Sequence, residues 1–436
     1  MPNNLEVESG AGTPRLKVPE RSQIEFRACC WNDLLPSDHQ AVIVWQYVSE
    51  LDLSPLYAKI KAIEGRPGQP PIDCRILMSL WLYATLRGIG SARELDRRCD
   101  HQTGELAFQW ICGGVSVNHH TLSDFRTEEV EFLDQLLTRS VAVLMEQKLV
   151  TLDRVAQDGM KVRASAGAAS FRRRETLQDH LDEAQQQVQA LKAELTADPA
   201  AANNRQKAAR ERAAREREER VKKALEQLAL VESQKKKAEE KANARASTTD
   251  PEARIMKMAD GGFRPAYNVQ LATDTETQII TGVDVTNSGG DQGKMAPMVE
   301  QHEERYGQTP KEMLVDGGFA KKDDITQVSA PNGNTIVYAP VQASKKETID
   351  PHTPREKDSV AVCEWRQRMA TEAAQEIYKD RAATAECVNA IARNRGLYQV
   401  RVRGRPKVLA VALWYVLAHN LIRTVTLRAL NEQQPK

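Results

Sequence analysis

The chain changes its hydrophobic rhythm several times along its length. Between residues 34 and 145 apolar positions recur at helical spacing. Leu77, Leu80, Trp81, Ala84 and Thr85 keep one stripe, and Ser91 followed by Glu94 opens the next helix with a capping box. This segment reads as an all-α module behind an unpatterned leader, residues 1–33. At LVTLDRVAQDGMKVRA, residues 149–164, the period drops to two, with Val150, Leu152 and Val155 leading to an acidic strand end at Asp158. Helical spacing returns in residues 175–245, rich in Ala, Glu, Lys, Gln and Arg. There Ala184, Val188, Leu191 and Leu195, then ADPAAANN, then Val221, Leu225, Leu228 and Val231 predict an antiparallel, coiled-coil-like helical hairpin.

Alternation resumes at AYNVQLATD and QIITGVDVTN, two strands joined by a polar turn at Thr275 and Glu276. A helix follows at KMAPMVEQHEERYG. In EMLVDGGFA the apolar Met313, Leu314 and Val315 end in Asp316 and paired glycines, the form of a buried strand opening into a functional loop. TIVYAP gives one more strand, residues 341–360 a charged mobile loop, and Cys363 to about Arg395 a helix. Residues 146–174 and 246–436 together form an α/β unit into which the hairpin is inserted.

Bulk properties narrow the class. A chain of 436 residues exceeds one ordinary core, and 41% hydrophobic with 28% charged residues is a folded balance. The N-terminus lacks a secretory pattern and no apolar run of about 20 residues stands out, which predicts a cytoplasmic protein without a membrane span. Seven cysteines show no CxxC or zinc-finger spacing, and His119 and His120 fit a helix start, so reduced thiols are expected and no zinc site. The net charge is only +1, but Arg393, Arg395, Arg401, Arg403, Arg405, Lys407, Arg423 and Arg428 follow one another with no intervening acid, a candidate phosphate track. Arg87, Arg93, Arg97, Arg98 and Arg126 add helix arginines that a DNA backbone could meet. The second hairpin arm carries nine Lys or Arg against four Glu from Arg205 to Lys223, a pattern read first as a solvated face.

Two Asp residues at strand ends meet in an α/β sheet however far apart they lie in sequence, and a helix beside them supplies a third acid. Three carboxylates with no competing thiol suit magnesium, which takes oxygen ligands; two such ions about 4 Å apart activate an attacking oxygen and stabilise a leaving one.

The strings QDGMKVRA, AYNVQLATD, LVDGGFA and YKDRAATAECVNAIARNRG, in that order, resemble the DDE transposases of bacterial insertion sequences, and LMSLWLYATLRGIGSARELDRRC with NHHTLSDFR resembles their N-terminal helical domain. The resemblance implies a ribonuclease-H-like core, with Asp158, Asp316 and Glu386 as catalytic residues and ligands of Mg²⁺ or Mn²⁺, two ions in all. It implies DNA partners, element ends and target, and a homodimer in a synaptic complex at the bacterial nucleoid.

The family's Tyr, Arg, Glu and Lys signature falls on Tyr378, Arg381, Glu386 and Arg393, with one residue too many between Arg381 and Glu386 and Arg in place of Lys. At about 100° per residue Arg393 returns to the face of Glu386, while Arg381 is turned roughly 140° away. Arg393 therefore reads as the better phosphate ligand. Lys161 is a further candidate for the scissile strand, Asp291 for a fourth acid, and Glu372 and Glu376 for the third. With Tyr378, Arg381 and Arg393, the residues Arg401, Arg403, Arg405 and Lys407 complete the expected DNA contacts. Two other functions share these features: a nuclease of the same core without strand transfer, and a non-catalytic DNA-binding regulator.

Overall fold

The computed structural model describes residues 30–62, 69–197, 204–343 and 350–432. Most of the leader and most of the ADPAAANN break lie outside them. The N-terminal part is helical as expected: α1 (Gln40–Glu50), α2 (Ser54–Tyr57), α3 (Cys74–Leu86), α4 (Ala92–Arg98), α5 (Leu106–Cys112), α6 (His119–Glu128) and α7 (Val130–Glu146). Its caps are legible in the sequence. Ser91 Oγ accepts from the Glu94 amide, and the Asn118 side chain from that of Thr121.

The next segment is β1 (Arg154–Arg163), β2 (Phe171–Arg172), α8 (Arg174–Ala197), α9 (Asn204–Ser233), α10 (Ala238–Ala242) and β3 (Ala246–Ser247). Helices α8 and α9 pair antiparallel: Arg217 reaches Glu183 at 3.1 Å, and Arg174 reaches Glu232 at the other end. Leu177 buries against Val221, Ala224 and Leu228, Ala184 and Val188 are buried further along α8, and β2 pairs with β3 at the base. Heptad-like spacing supplied a stripe on each helix, and burying the two against each other makes the pair stable in water.

The remaining elements are β4 (Arg254–Lys257), β5 (Phe263–Asp274), β6 (Ile280–Thr286), α11 (Met295–Tyr306), β7 (Glu312–Leu314), α12 (Lys322–Val328), β8 (Ile336–Tyr338), α13 (Val360–Met369), α14 (Glu372–Arg381), a π-helical turn (Ala382–Glu386), α15 (Cys387–Asn394) and α16 (Arg405–Glu432). The mixed sheet runs β5, β1, β7, β8, with β4 and β6 sharing the outer edge of β5. Strand β5 is antiparallel to β1 and β6, whereas β1, β7 and β8 are parallel. This mixed α/β architecture is consistent with a ribonuclease-H-like core.

Three expectations need correction. Of the loop expected over residues 341–360, residues 344–349 lie outside the described residues and 350–359 are pinned rather than loose, because the Asp358 carboxylate takes Arg366 Nε at 2.7 Å and Lys322 Nζ at 2.5 Å. The expected single helix to Arg395 is interrupted at Thr371, whose side chain caps α14, and again at the π turn. Finally, α16 is long and apolar enough to cross a membrane. Its apolar face, from Val408 to Leu421, is instead buried inside the protein. It packs on α3, α6 and α7 on one side and β6 on the other. Trp414 donates to the Arg126 carbonyl and Asn420 bonds both backbone groups of Ile280, so one helix joins the N-terminal helices to the sheet.

Candidate active site

Strand β1 sets the first acid. Asp158 is not at a strand end, as the alternation suggested, but in the middle of β1, opposite Leu271 of β5. Pairing with β7 covers only Arg154 to Ala156, so Asp158 is the first side chain on its face beyond that short neighbour. The strand runs on because β5 is long enough to pair with it as far as Arg163.

The second acid follows β7 directly. Val315 still donates to the Tyr338 carbonyl, and Asp316 then folds its Oδ1 back to accept from the Gly318 amide at 2.7 Å. A Cβ on Gly318 would stand 2.9 Å from that oxygen, which is why the turn takes glycine there.

The third acid and its neighbours come from the helical stretch after α13. The π turn occupies Ala382 to Glu386, where an i→i+5 hydrogen-bonding pattern absorbs one extra residue. It brings Arg381 back over Glu386 and corrects the expectation that Arg381 is turned away, since that reasoning assumed an unbroken α-helix. Arg381 Nη2 lies 3.3 Å from Asp158 Oδ1 and 4.0 Å from Asp316 Oδ2, and its Nη1 lies 3.8 Å from Glu386 Oε1. One guanidinium therefore gathers the three predicted acids. Arg381 is largely buried, whereas the Glu386 side chain is 67% exposed. The half-buried Tyr378 stands one turn back; burial pushes its hydroxyl pKa up, Arg381 opposes this, and Asp316 and Asp158 reinforce it.

Asn389, which the sequence reading passed over, donates from Nδ2 to Asp158 Oδ2 at 2.9 Å. It is 4% exposed and its own Oδ1 has no partner among the described residues. A polar residue three positions after Glu386 on a stripe otherwise buried as Val388 and Ala392 was the available signal. Burial holds the Asp158 carboxyl above the ordinary carboxylate range, against the pull of Arg381 and the Gly159 amide, while Asp316 and Asp291 push the same way as burial.

Lys161 and Asp291 are elsewhere. Side chains alternate across a strand, so Lys161, three residues from Asp158, emerges on the opposite face of the sheet. There it pairs with Asp291 at 3.0 Å, and Asn268 and Gln270 also donate to Asp291. This cluster packs over Gly159, where a Cβ would meet Asp291 Oδ1 at 2.2 Å. It braces the strand from behind, and it sets Lys161 and Asp291 against each other on the face away from the Asp158 side chain. Glu372 begins α14, and Glu376 pairs with Lys379; the structure records no contact of either with Asp158 or Asp316 among the described residues.

Arg393 is exposed in the last turn of α15 and makes no ion pair with the acids among the described residues. The basic run divides. Arg401, Arg403, Arg405 and Lys407 are exposed, Arg423 is held on the Thr277 carbonyl, and Arg395 is partly buried.

For a divalent cation the donor chemistry is right: carboxylate oxygens, with no thiol or imidazole among the groups that meet Arg381. Among the described residues no three acids, histidines or cysteines are drawn tightly enough to enclose an ion. The guanidinium takes the central position, and the exposed Glu386 side chain has freedom to turn inward.

The family model described as a transposase DDE domain matches residues 226–421, a span that contains Asp316 and Glu386 and begins after Asp158. A second, described as a transposase domain (DUF772), matches residues 30–128, which hold α1 to α6. No curated protein and no solved structure matches the chain.

Proposed function

We propose that this chain, which carries a match to a transposase DDE domain behind a match to a transposase domain, is a DDE transposase of an insertion sequence that cuts a DNA strand at the element end and joins the freed 3′ hydroxyl to target DNA through Asp158, Asp316 and Glu386. The supporting observation is the meeting of these three acids, from β1, the turn after β7 and the π turn, around one Arg381 guanidinium. The order and sense of the strands support a ribonuclease-H-like core with the α8–α9 pair inserted into it.

In the first step a water oxygen attacks the scissile phosphorus and the bond to the 3′ oxygen breaks, that oxygen leaving as the 3′ hydroxyl. In the second, this hydroxyl attacks a target phosphodiester, forms a new bond to phosphorus and releases a target 3′ hydroxyl. Asp158, Asp316 and Glu386 are the residues that would hold Mg²⁺ or Mn²⁺, which when bound supplies charge stabilisation for both in-line displacements. Asn389 fixes the Asp158 carboxylate through one oxygen and leaves the other toward Arg381. Arg381 and Tyr378 would meet the non-bridging phosphate oxygens, since a guanidinium matches phosphate geometry. We place the protein, as a homodimer bridging two element ends, at the bacterial nucleoid.

Purified protein incubated with a pre-cleaved terminal-repeat duplex, supercoiled plasmid and Mg²⁺ should give strand-transfer products, and Asp158→Ala, Asp316→Ala and Glu386→Ala should give none while retaining DNA binding. Hydrolysis without joining would favour a nuclease, and binding with neither reaction a regulator.

A further inference from the structure

A cleft of about 810 Å³ separates the N-terminal helices from the segment after α15. One wall carries Arg87, Arg93 and His120, the other Tyr398 and Arg401, and no acidic side chain lines it. Gly88 and Gly396 bring the walls together at its base. Both have positive φ, +72° and +94°, and a Cβ on Gly396 would lie 3.3 Å from the Gly88 carbonyl oxygen. Arg87, Arg93 and Arg401 are exposed and form no ion pair among the described residues.

Arg126 in the lining is more telling. It is 5% exposed, its guanidinium lies 4.5 Å over the Trp81 ring, and Nη1 donates to the Gly90 carbonyl at 2.7 Å. Its Nε has no partner among the described residues, and no carboxylate there pairs with it. Burial pulls its pKa down to about 10, Tyr415 opposing this and the neighbouring Arg401 aiding it, so it remains charged at neutral pH. A buried cation without a counter-ion is strongly unfavourable unless an anion completes the site. The two walls therefore present a shared positive field to something not part of this chain.

The cleft lies close to the acids. Helix α15 starts next to Glu386 and ends at Asn394, which lines the cleft. Eight residues at 1.5 Å rise span about 12 Å, and at about 3.4 Å per step of B-DNA this is three to four base pairs. We infer that this cleft binds the sugar–phosphate backbone of the duplex whose strand is cut, about three to four base pairs from the scissile phosphate, and so ties the N-terminal helices to the catalytic acids. The inference rests on the transposase reading. It names a surface that neither the acids nor Arg381 supplies. Guanidinium, imidazole, hydroxyl and amide donors around an acid-free cleft fit phosphate oxygens, and contacts of this kind set position without reading sequence. The exposed Tyr398 adds a flat face at the rim for the sugar edge.

Fluorescence anisotropy of the full chain on terminal-repeat duplexes across a salt series tests this. Removing two phosphate contacts should lower the slope of log affinity against log salt by about 1.8. We expect that loss for the Arg93→Ala, Arg401→Ala double variant on a duplex extending ten base pairs on both sides of the cleavage site, and a weakening of at least tenfold. On duplexes trimmed to two base pairs on the side facing the cleft, parent and variant should bind alike. Arg126→Lys, which keeps the charge but loses the planar fork, should weaken binding of the long duplex alone.

An unchanged slope overturns the proposal, as does an equal loss on long and trimmed duplexes. A loss seen equally with single-stranded DNA or heparin overturns the duplex assignment. Melting curves of all variants without DNA should match the parent for the exposed positions. Failure of the transposase reading has a different signature: strand transfer absent from the parent protein while the length-dependent salt effect persists.

Discussion

Asn389→Ala isolates one contact of the proposed catalytic centre. Asn389 Nδ2 donates to Asp158 Oδ2 at 2.9 Å inside a buried environment, and a hydrogen bond to a charged partner contributes about 1.5–3 kcal/mol. At about 1.36 kcal/mol per decade of rate, losing it from a carboxylate that must stay fixed through the reaction lowers cleavage roughly 10- to 150-fold. Stability should change much less, because the truncation also removes the Asn389 Oδ1, buried without a partner among the described residues. Burial already raises the Asp158 carboxyl, so removing a donor to its ionised form raises it further, and the acid limb of the pH–rate profile should move to higher pH. Single-turnover cleavage of a labelled terminal-repeat duplex with Mg²⁺, from pH 5.5 to 9, reads both effects, with a melting curve as the control for folding. Asn389→Asp should be slower still, since it sets a second carboxylate against the first. A cleavage rate within twofold of the parent and an acid limb in the same place would refute the positioning role.

Arg381→Ala should reduce cleavage at least tenfold more than Arg393→Ala under the same conditions, because only Arg381 meets the three acids; the opposite ranking would restore the straight-helix reading. Gly159→Ala should lower the melting temperature, since its Cβ would overlap Asp291 Oδ1 and Gln270 Nε2, and overpacking of this kind is destabilising by about 1–3 kcal/mol; unchanged melting would show that the Asp291 cluster yields freely. His302 and His419 are buried and held down to about 4, so both are neutral in the folded protein. Their stabilising contribution is complete above the unfolded value of about 6.5 and is lost as pH falls toward about 4. Urea midpoints should therefore drop between pH 7 and 4.5, and less in His302→Gln; an equal drop in that variant would assign the acid sensitivity to other groups.

Much of this was legible in the chain. Period-two alternation located β1, β5 and β6, the short apolar run Met313–Val315 located β7, Ser91 announced its helix, and the paired stripes of α8 and α9 anticipated their antiparallel contact. Other features were hidden for identifiable reasons. The run from Val408 to Ala418 is almost uniformly apolar, so only its neighbours on both sides show why. The one-residue excess after Arg381 looked like a defect because sequence periodicity assumes one helical pitch, and a π turn changes that pitch locally.

The three candidate carboxylates themselves were chosen by the sequence: their residue type, the glycines that follow Asp158 and Asp316, and the resemblance they carry need no coordinates. Their relation to one another did not follow from it. Asp158 and Asp316 are 158 residues apart in the chain, and they meet because the parallel pairing of β7 with β1 stops two residues short of the first acid. Which of Arg381, Arg393 and Lys161 reaches them was decided by the π turn and by the two faces of the sheet. Arg126, buried with no ion pair among the described residues, owes that setting to α16, which closes the N-terminal helices against the core. A sequence specifies which groups are present and their local period. The distances on which charge acts depend on long-range packing, and only the folded chain supplies them.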